Sequence, residues 1–96
     1  MDRRDYLIIL YDFYEVLFSE KDKEVFEDYY FNNYSLSEIS ENLSVSRNAI
    51  HKHLKSIEKK LLFYEEKLKL YEKDLKLSNI INYLEDEDLK RELSNL

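Results

Sequence analysis

Between Ser46 and Lys60 the chain gathers Arg47, Lys52, Lys55, Lys59 and Lys60 against a single acid, Glu58, with His51 and His53 interleaved. The rest of the protein is acidic: 21 Asp and Glu against 15 Lys and Arg leave a net charge of −6. Nine acids meet four bases over 1–34 and nine meet six over 61–96, so only 35–60, with three acids and five bases, is positive. On an α-helix Arg47, Asn48, His51, Lys52 and Lys55 fall at i, i+1, i+4, i+5 and i+8, a continuous stripe, while Ile50, Leu54 and Ile57 face the other way. An arginine fork can read guanine, an asparagine amide adenine, and lysines can meet phosphates, so the stripe has the residue types of a nucleic-acid contact. The overall negative field works against polyanions, and a solvated helix face on a protein-binding scaffold is the competing reading.

Other chemistries find less support. Glu65 with Lys69 and Glu72 with Lys76 stand at helical i, i+4 spacing, and the run Glu85-Asp86-Glu87-Asp88 likewise lies among lysines, the pattern of solvated helix surfaces. No nucleophile, base and oxyanion set can be assembled, so the reading is non-enzymatic. His51 and His53 are two residues apart and point to different sides of a helix, which predicts solvent-facing rings rather than a metal pair; no metal and no cofactor is expected. The chain has no Cys, which removes disulfides, thiolate zinc sites and cysteine nucleophiles, and no Gly, which removes phosphate-cradling loops and tight hairpins. Nine tyrosines and five phenylalanines mostly fall on apolar stripes, where they read as core or interface.

The elements that must carry the basic stripe are all helical. Tyr6, Leu7, Leu10, Phe13, Tyr14 and Leu17 form one face of a helix over 5–18, and Ile8, Ile9, Tyr11, Val16 and Phe18 widen it beyond a single core stripe. Ser19 with Asp22 marks the start of a second helix, about 20–31, with Val25, Phe26, Tyr29 and Tyr30 on its apolar side. Asn32-Asn33 tolerate left-handed backbone and predict a turn. Ser35-Leu36-Ser37-Glu38 is a full capping box, opening a short helix over about 36–42 with Leu36, Ile39 and Leu43 inward. After a break at Leu43-Ser44-Val45, Ser46 caps a helix whose pattern runs without interruption to about Leu77.

Within that long helix Leu54, Ile57, Leu61, Tyr64, Leu68, Tyr71 and Leu75 are spaced 3, 4, 3, 4, 3 and 4, a coiled-coil period. Together with Tyr11 these residues form a candidate interface. The seam packs either on the first helices of the same chain or on a second chain, and both arrangements suit its aromatic character. A homodimer is expected from the seam and from the two-sided first helix. Ile80, Ile81, Leu84, Leu89, Leu93 and Leu96 predict a short amphipathic helix or tail over 79–96, after a helix-turn-helix domain over 1–78. The longest apolar stretch, 6–11, ends at Asp12 and falls far short of the ~20 residues that span a bilayer; with no signal-peptide pattern at the N-terminus, a cytoplasmic protein is expected.

A short capped helix, a four-residue turn and a second helix with a basic outer face are the parts of a helix-turn-helix, here about 35–60. The run Ser35-Leu36-Ser37-Glu38-Ile39-Ser40-Glu41-Asn42-Leu43-Ser44-Val45-Ser46-Arg47-Asn48-Ala49-Ile50 resembles region 4 of bacterial sigma factors. More closely, the chain from about 6 to 80 resembles the YlxM family of small bacterial proteins, through Tyr11-Asp12-Phe13-Tyr14, Leu17-Phe18-Ser19-Glu20-Lys21, Tyr29-Tyr30 and Tyr64-Glu65-Glu66-Lys67-Leu68-Lys69-Leu70-Tyr71. The resemblance implies an all-α, sigma region 4-like bundle with a long C-terminal helical arm, dimeric, and linked to the signal recognition particle pathway. The implied partners are DNA or the particle's RNA, and alternatively the particle's GTPase, held by the aromatic helix surface of a non-nucleic-acid-binding adaptor. Two positions depart from the family pattern: Ser40 stands where a small Ala is usual, and Ser44 where the turn usually has Gly. A serine held left-handed costs roughly 1–2 kcal/mol, which predicts a remodelled turn.

Overall fold

The computed structural model describes residues 1–94, and among them the secondary structure is entirely helical. The elements are α1 (Arg3–Tyr14), a 3-10 turn (Glu15–Leu17), α2 (Glu20–Tyr30), α3 (Leu36–Leu43), α4 (Arg47–Leu68) and α5 (Leu70–Ser94). Four of the helices begin as local chemistry dictates. Asp2, Ser19, Ser35 and Ser46 each accept a hydrogen bond from the backbone N–H three residues on, and Glu38 completes the capping box by accepting from the Ser35 N–H. With no glycine available, three other residues take the left-handed backbone that ends a helix: Asn33 at φ 57°, Ser44 at φ 57° and Lys69 at φ 55°.

Four helices share one core. Leu7, Leu10, Tyr11 and Tyr14 of α1, Val25, Phe26 and Tyr30 of α2, Ile39 of α3, and Ile50, Leu54, Ile57 and Leu61 of α4 are buried together with Phe18. Three rings are stacked through it: Tyr11 on Phe26 at 4.1 Å and Phe26 on Tyr30 at 4.4 Å between centroids. Arg4 of α1 holds the Tyr30 end of this stack, donating 2.9 Å to the Tyr30 carbonyl while its guanidinium lies 5.0 Å from the Tyr30 ring centroid. The first helix is shorter than its apolar pattern: α-helix gives way to the 3-10 turn after Tyr14, and the change of phase swings Leu17 out to solvent and Phe18 into the core.

The long C-terminal helix is not continuous. Its pattern predicts a run to Leu77, but Lys69 is left-handed and divides it into α4 and α5. The residues past 79 then continue α5 instead of starting a helix of their own. Of the apolar tail positions, Leu96 lies outside the described residues, as do the side chains of Leu89 and Leu93. α5 packs mainly on α1 and α4 and projects as an arm, giving the molecule extents of 67 × 26 × 22 Å.

Both ends of the Lys69 break are satisfied. The Lys69 N–H donates to the Glu65 carbonyl at 2.9 Å, closing α4, and the Lys69 carbonyl accepts from Lys73 at 2.9 Å, opening α5. A new helix leaves its first N–H groups without partners. Here the Leu70 N–H donates to the Tyr14 hydroxyl oxygen at 3.1 Å, and the N–H groups of Tyr71 and Glu72 donate to the two carboxylate oxygens of Glu65, each at 3.1 Å. The Tyr14 hydroxyl in turn donates to Glu65 Oε1 at 2.6 Å. Burial and this bond to a carboxylate push the Tyr14 phenol up to about 12.

Candidate nucleic-acid interface

α3 and α4 form the helix-turn-helix, and the turn between them keeps its usual form without glycine. Ser44 accepts the left-handed conformation, its N–H donating to Glu41 at 3.3 Å while the Val45 N–H donates to Ser40 at 3.0 Å, the paired bonds of a Schellman stop. The expected remodelling therefore does not occur: these two bonds, and Ile39 and Ile50 buried on either side, offset the cost of left-handed serine. Ser40, buried where a smaller residue was expected, donates its hydroxyl to the Ser37 carbonyl at 2.7 Å and so buries no unpaired oxygen.

The turn sets the first half of α4 with Ile50, Leu54 and Ile57 inward and Arg47, Asn48, His51, Lys52 and Lys55 outward, all five exposed. The structure thus brings the stripe together as one face. Lys55 is partly engaged, lying 3.6 Å from Glu58 Oε1, which Arg3 also approaches at 3.5 Å. Glu58 is buried and accepts from the Tyr30 hydroxyl at 2.8 Å, so its charge is compensated from the α1 side and from α2 as well as from α4. Burial first, then the bond to Glu58, raises the Tyr30 phenol well above the ordinary tyrosine range.

His53 departs from expectation. It is not solvent-facing: its Nε2 lies 2.5 Å from Asp22 Oδ1, joining α4 to the start of α2. Burial pushes the Asp22 carboxyl up, but His53 and Ser19 outweigh it and hold the group below its ordinary value. His51 stays exposed, and among the described residues no group of three or more His, Cys, Asp and Glu side chains could hold a metal ion.

The heptad seam does not survive as one surface. Tyr11, Leu54, Ile57 and Leu61 are buried in the core of the single chain, and Tyr64 and Tyr71 pack partly against it, Tyr64 lying 5.8 Å from both Tyr14 and Phe18. Leu68 and Leu75 remain 45% exposed, because the break at Lys69 resets the helical phase between Leu68 and Tyr71.

Two features escaped the sequence reading. Glu58 and Glu65 sit on the buried face, at i+4 and i+11 from Leu54, a spacing that signals a carboxylate turned inward. On the opposite face Lys52, Ser56, Lys59 and Phe63 run at i, i+4, i+7 and i+11, so the cationic row continues beyond the helix-turn-helix to an exposed aromatic ring.

A capped short helix, a left-handed turn and a basic-faced second helix, packed on two further helices, define a helix-turn-helix protein. The chain belongs to the UPF0122 family, described as "Putative helix-turn-helix protein, YlxM / p13 like", whose profile matches residues 1–95. It is 49% identical over 53 residues to a UPF0122 protein of Thermoanaerobacter sp. strain X514, covering 55% of this chain and 45% of that protein. It is 44% identical over 58 residues to a UPF0122 protein of Oceanobacillus iheyensis, covering 60% and 55%. A third relative, from Malacoplasma penetrans, is 51% identical over 47 residues, covering 49% and 44%. The matched segment spans about half the length of these relatives.

Proposed function

We propose that this protein is a non-enzymatic regulator that binds nucleic acid through the outer face of α4, with Arg47 and Asn48 at base edges and His51, Lys52 and Lys55 along the backbone. The observation that carries this reading is the separation of charge: a chain of net charge −6 keeps five exposed polar and basic side chains on one face at the start of the second helix of a helix-turn-helix. The family resemblance adds the RNA of the signal recognition particle to duplex DNA as a target, and a cytoplasmic site of action with it. The test is fluorescence anisotropy against both nucleic acids at two salt concentrations. Binding should weaken steeply with salt and be lost in the Arg47→Ala, Lys52→Ala, Lys55→Ala triple variant. Unchanged binding by that variant removes the stripe from the mechanism. Retention of the particle's GTPase by a variant that no longer binds nucleic acid would favour an adaptor working through the aromatic helix surface.

A second reading, a homodimer, is favoured by α5. Leu70, Leu77 and Leu84 recur every seven residues with Ile80 and Ile81 beside them, all exposed. A second copy of the arm would cover this row. Sedimentation should give a dimer that Leu77→Asp converts to monomer, since an unpaired charge in such a seam must be desolvated. A wild-type monomer of about 12 kDa at micromolar concentration would sink the reading.

A further inference from the structure

Phe63 is 54% exposed, and its ring has little to hold it: the edge of Tyr64 at 6.2 Å and the Lys67 ammonium at 5.8 Å from its centroid. Tyr64 also borders the groove but is partly buried against the core, so the more exposed ring is that of Phe63. The ring closes one end of an open groove along α4 whose floor and walls include Lys52, Lys55, Ser56, Lys59 and Lys60. Two carboxylates pair with the cations here: buried Glu58, 3.6 Å from Lys55, and Glu66, 3.9 Å from Lys67. A surface of this sign beside an unused ring is complementary to a ligand that carries both negative charge and a flat apolar face, which a nucleic-acid strand does and an acidic peptide without aromatic residues does not.

The position of the ring narrows the ligand further. At 1.5 Å per residue Phe63 stands about 24 Å along α4 from Arg47 and about 16 Å from Lys52. A helix-turn-helix reads bases with the first residues of its second helix. With Arg47 and Asn48 at base edges, a straight axis does not follow the winding groove as far as Phe63, which lies past the residues that meet bases stacked in that duplex. The ring can reach a base that is already unstacked.

We infer, resting on the nucleic-acid reading above, that the ligand is a duplex adjoining a single-stranded segment, and that Phe63 stacks on an unpaired base there while Lys59, Lys60 and Lys67 hold the flanking phosphates. The experiment uses the full chain and two probes, a blunt duplex and the same duplex with a short single-stranded overhang carrying 2-aminopurine, each made as DNA and as RNA. Wild type should bind the overhang probe more tightly and change the 2-aminopurine emission on binding. Phe63→Ala should weaken binding to the overhang probe by about 5- to 150-fold, the range for losing one stacked base, and leave blunt-duplex binding within twofold; Phe63→Trp should restore it. The DNA and RNA forms tell which strand chemistry is preferred. Equal effects of Phe63→Ala on both probes, or none on the overhang, overturn the inference while leaving the duplex reading intact. Failure of wild type to bind either probe overturns both, and loss of a co-purifying protein in Phe63→Ala with nucleic-acid binding unchanged assigns the ring to a protein contact instead.

Discussion

The body formed by α1–α4 and the arm formed by α5 use similar apolar residues at similar helical spacing with opposite results. Leu54, Ile57 and Leu61 are buried in the body, while Leu77, Ile80 and Leu84 of the arm stay exposed. The difference lies in what stands opposite each stripe: α4 is packed on α1, α2 and α3, whereas α5 makes fewer contacts, mainly with α1 and α4. Periodicity reports that a face is apolar. It does not report whether the same chain covers it.

The largest test of this contrast is a pair of leucine truncations. Leu61, with no exposed surface, should lose about 3 kcal/mol on replacement by Ala, and Leu84, 55% exposed, less than about 0.5 kcal/mol, both read from urea unfolding at a concentration where the chain is monomeric. A cost at Leu84 approaching that at Leu61 would erase the distinction between body and arm. Next is the joint. Glu65→Ala removes the acceptor for the Tyr14 hydroxyl and for the N–H groups of Tyr71 and Glu72, and should cost about 2 kcal/mol while loosening the arm, seen as faster hydrogen exchange at the start of α5. If the arm kept its protection, the hold on α5 would lie in the contacts of Tyr71 with Tyr6 and Phe13.

The smallest effects are pH dependences, and they separate the α2–α4 contact at Asp22 from the joint at Tyr14 by sign. Asp22 has its carboxyl held below the ordinary value of 3.8, so the stability it contributes is present above that value and is lost as the pH falls below it. Asp22→Asn should remove this part of the acid slope with little change in the exposure of α5. Tyr14 behaves oppositely: with its phenol raised from 10.0 to about 12, its contribution is intact below pH 10 and is lost as the pH climbs toward 12. An absorbance titration of the phenols should show late ionisation in wild type and an earlier step for Tyr14 in Glu65→Ala.

Much of the fold was legible because it is written locally. Ser19, Ser35 and Ser46 cap helices three residues before their partners, Asn33 supplies the left-handed turn, and the basic stripe follows from i, i+1, i+4, i+5 spacing, all within a few residues. His53 was misplaced because its partner, Asp22, is 31 residues away, and no helical spacing connects them. The inward carboxylates were missed because charge outweighs phase when a single position is judged: Glu58 and Glu65 share the face of Leu54 and Leu61, but their tyrosine partners come from other helices.

The sequence by itself determined that the chain is helical, where the α2, α3 and α4 helices start, and which face of α4 carries the cations, since capping and helical phase are short-range properties. Only the tertiary structure decided where α4 ends. A lysine in left-handed backbone costs roughly 1–2 kcal/mol, and nothing near Lys69 in sequence signals a break. The cost is offset at a distance, by Tyr14, 56 residues from the Leu70 N–H it accepts, and by Glu65, whose carboxylate is fixed by that same tyrosine before it caps the next helix. The direction of the arm, and hence whether its apolar row is covered or exposed, follows from a hydrogen-bond node assembled only once α1 has packed on α4.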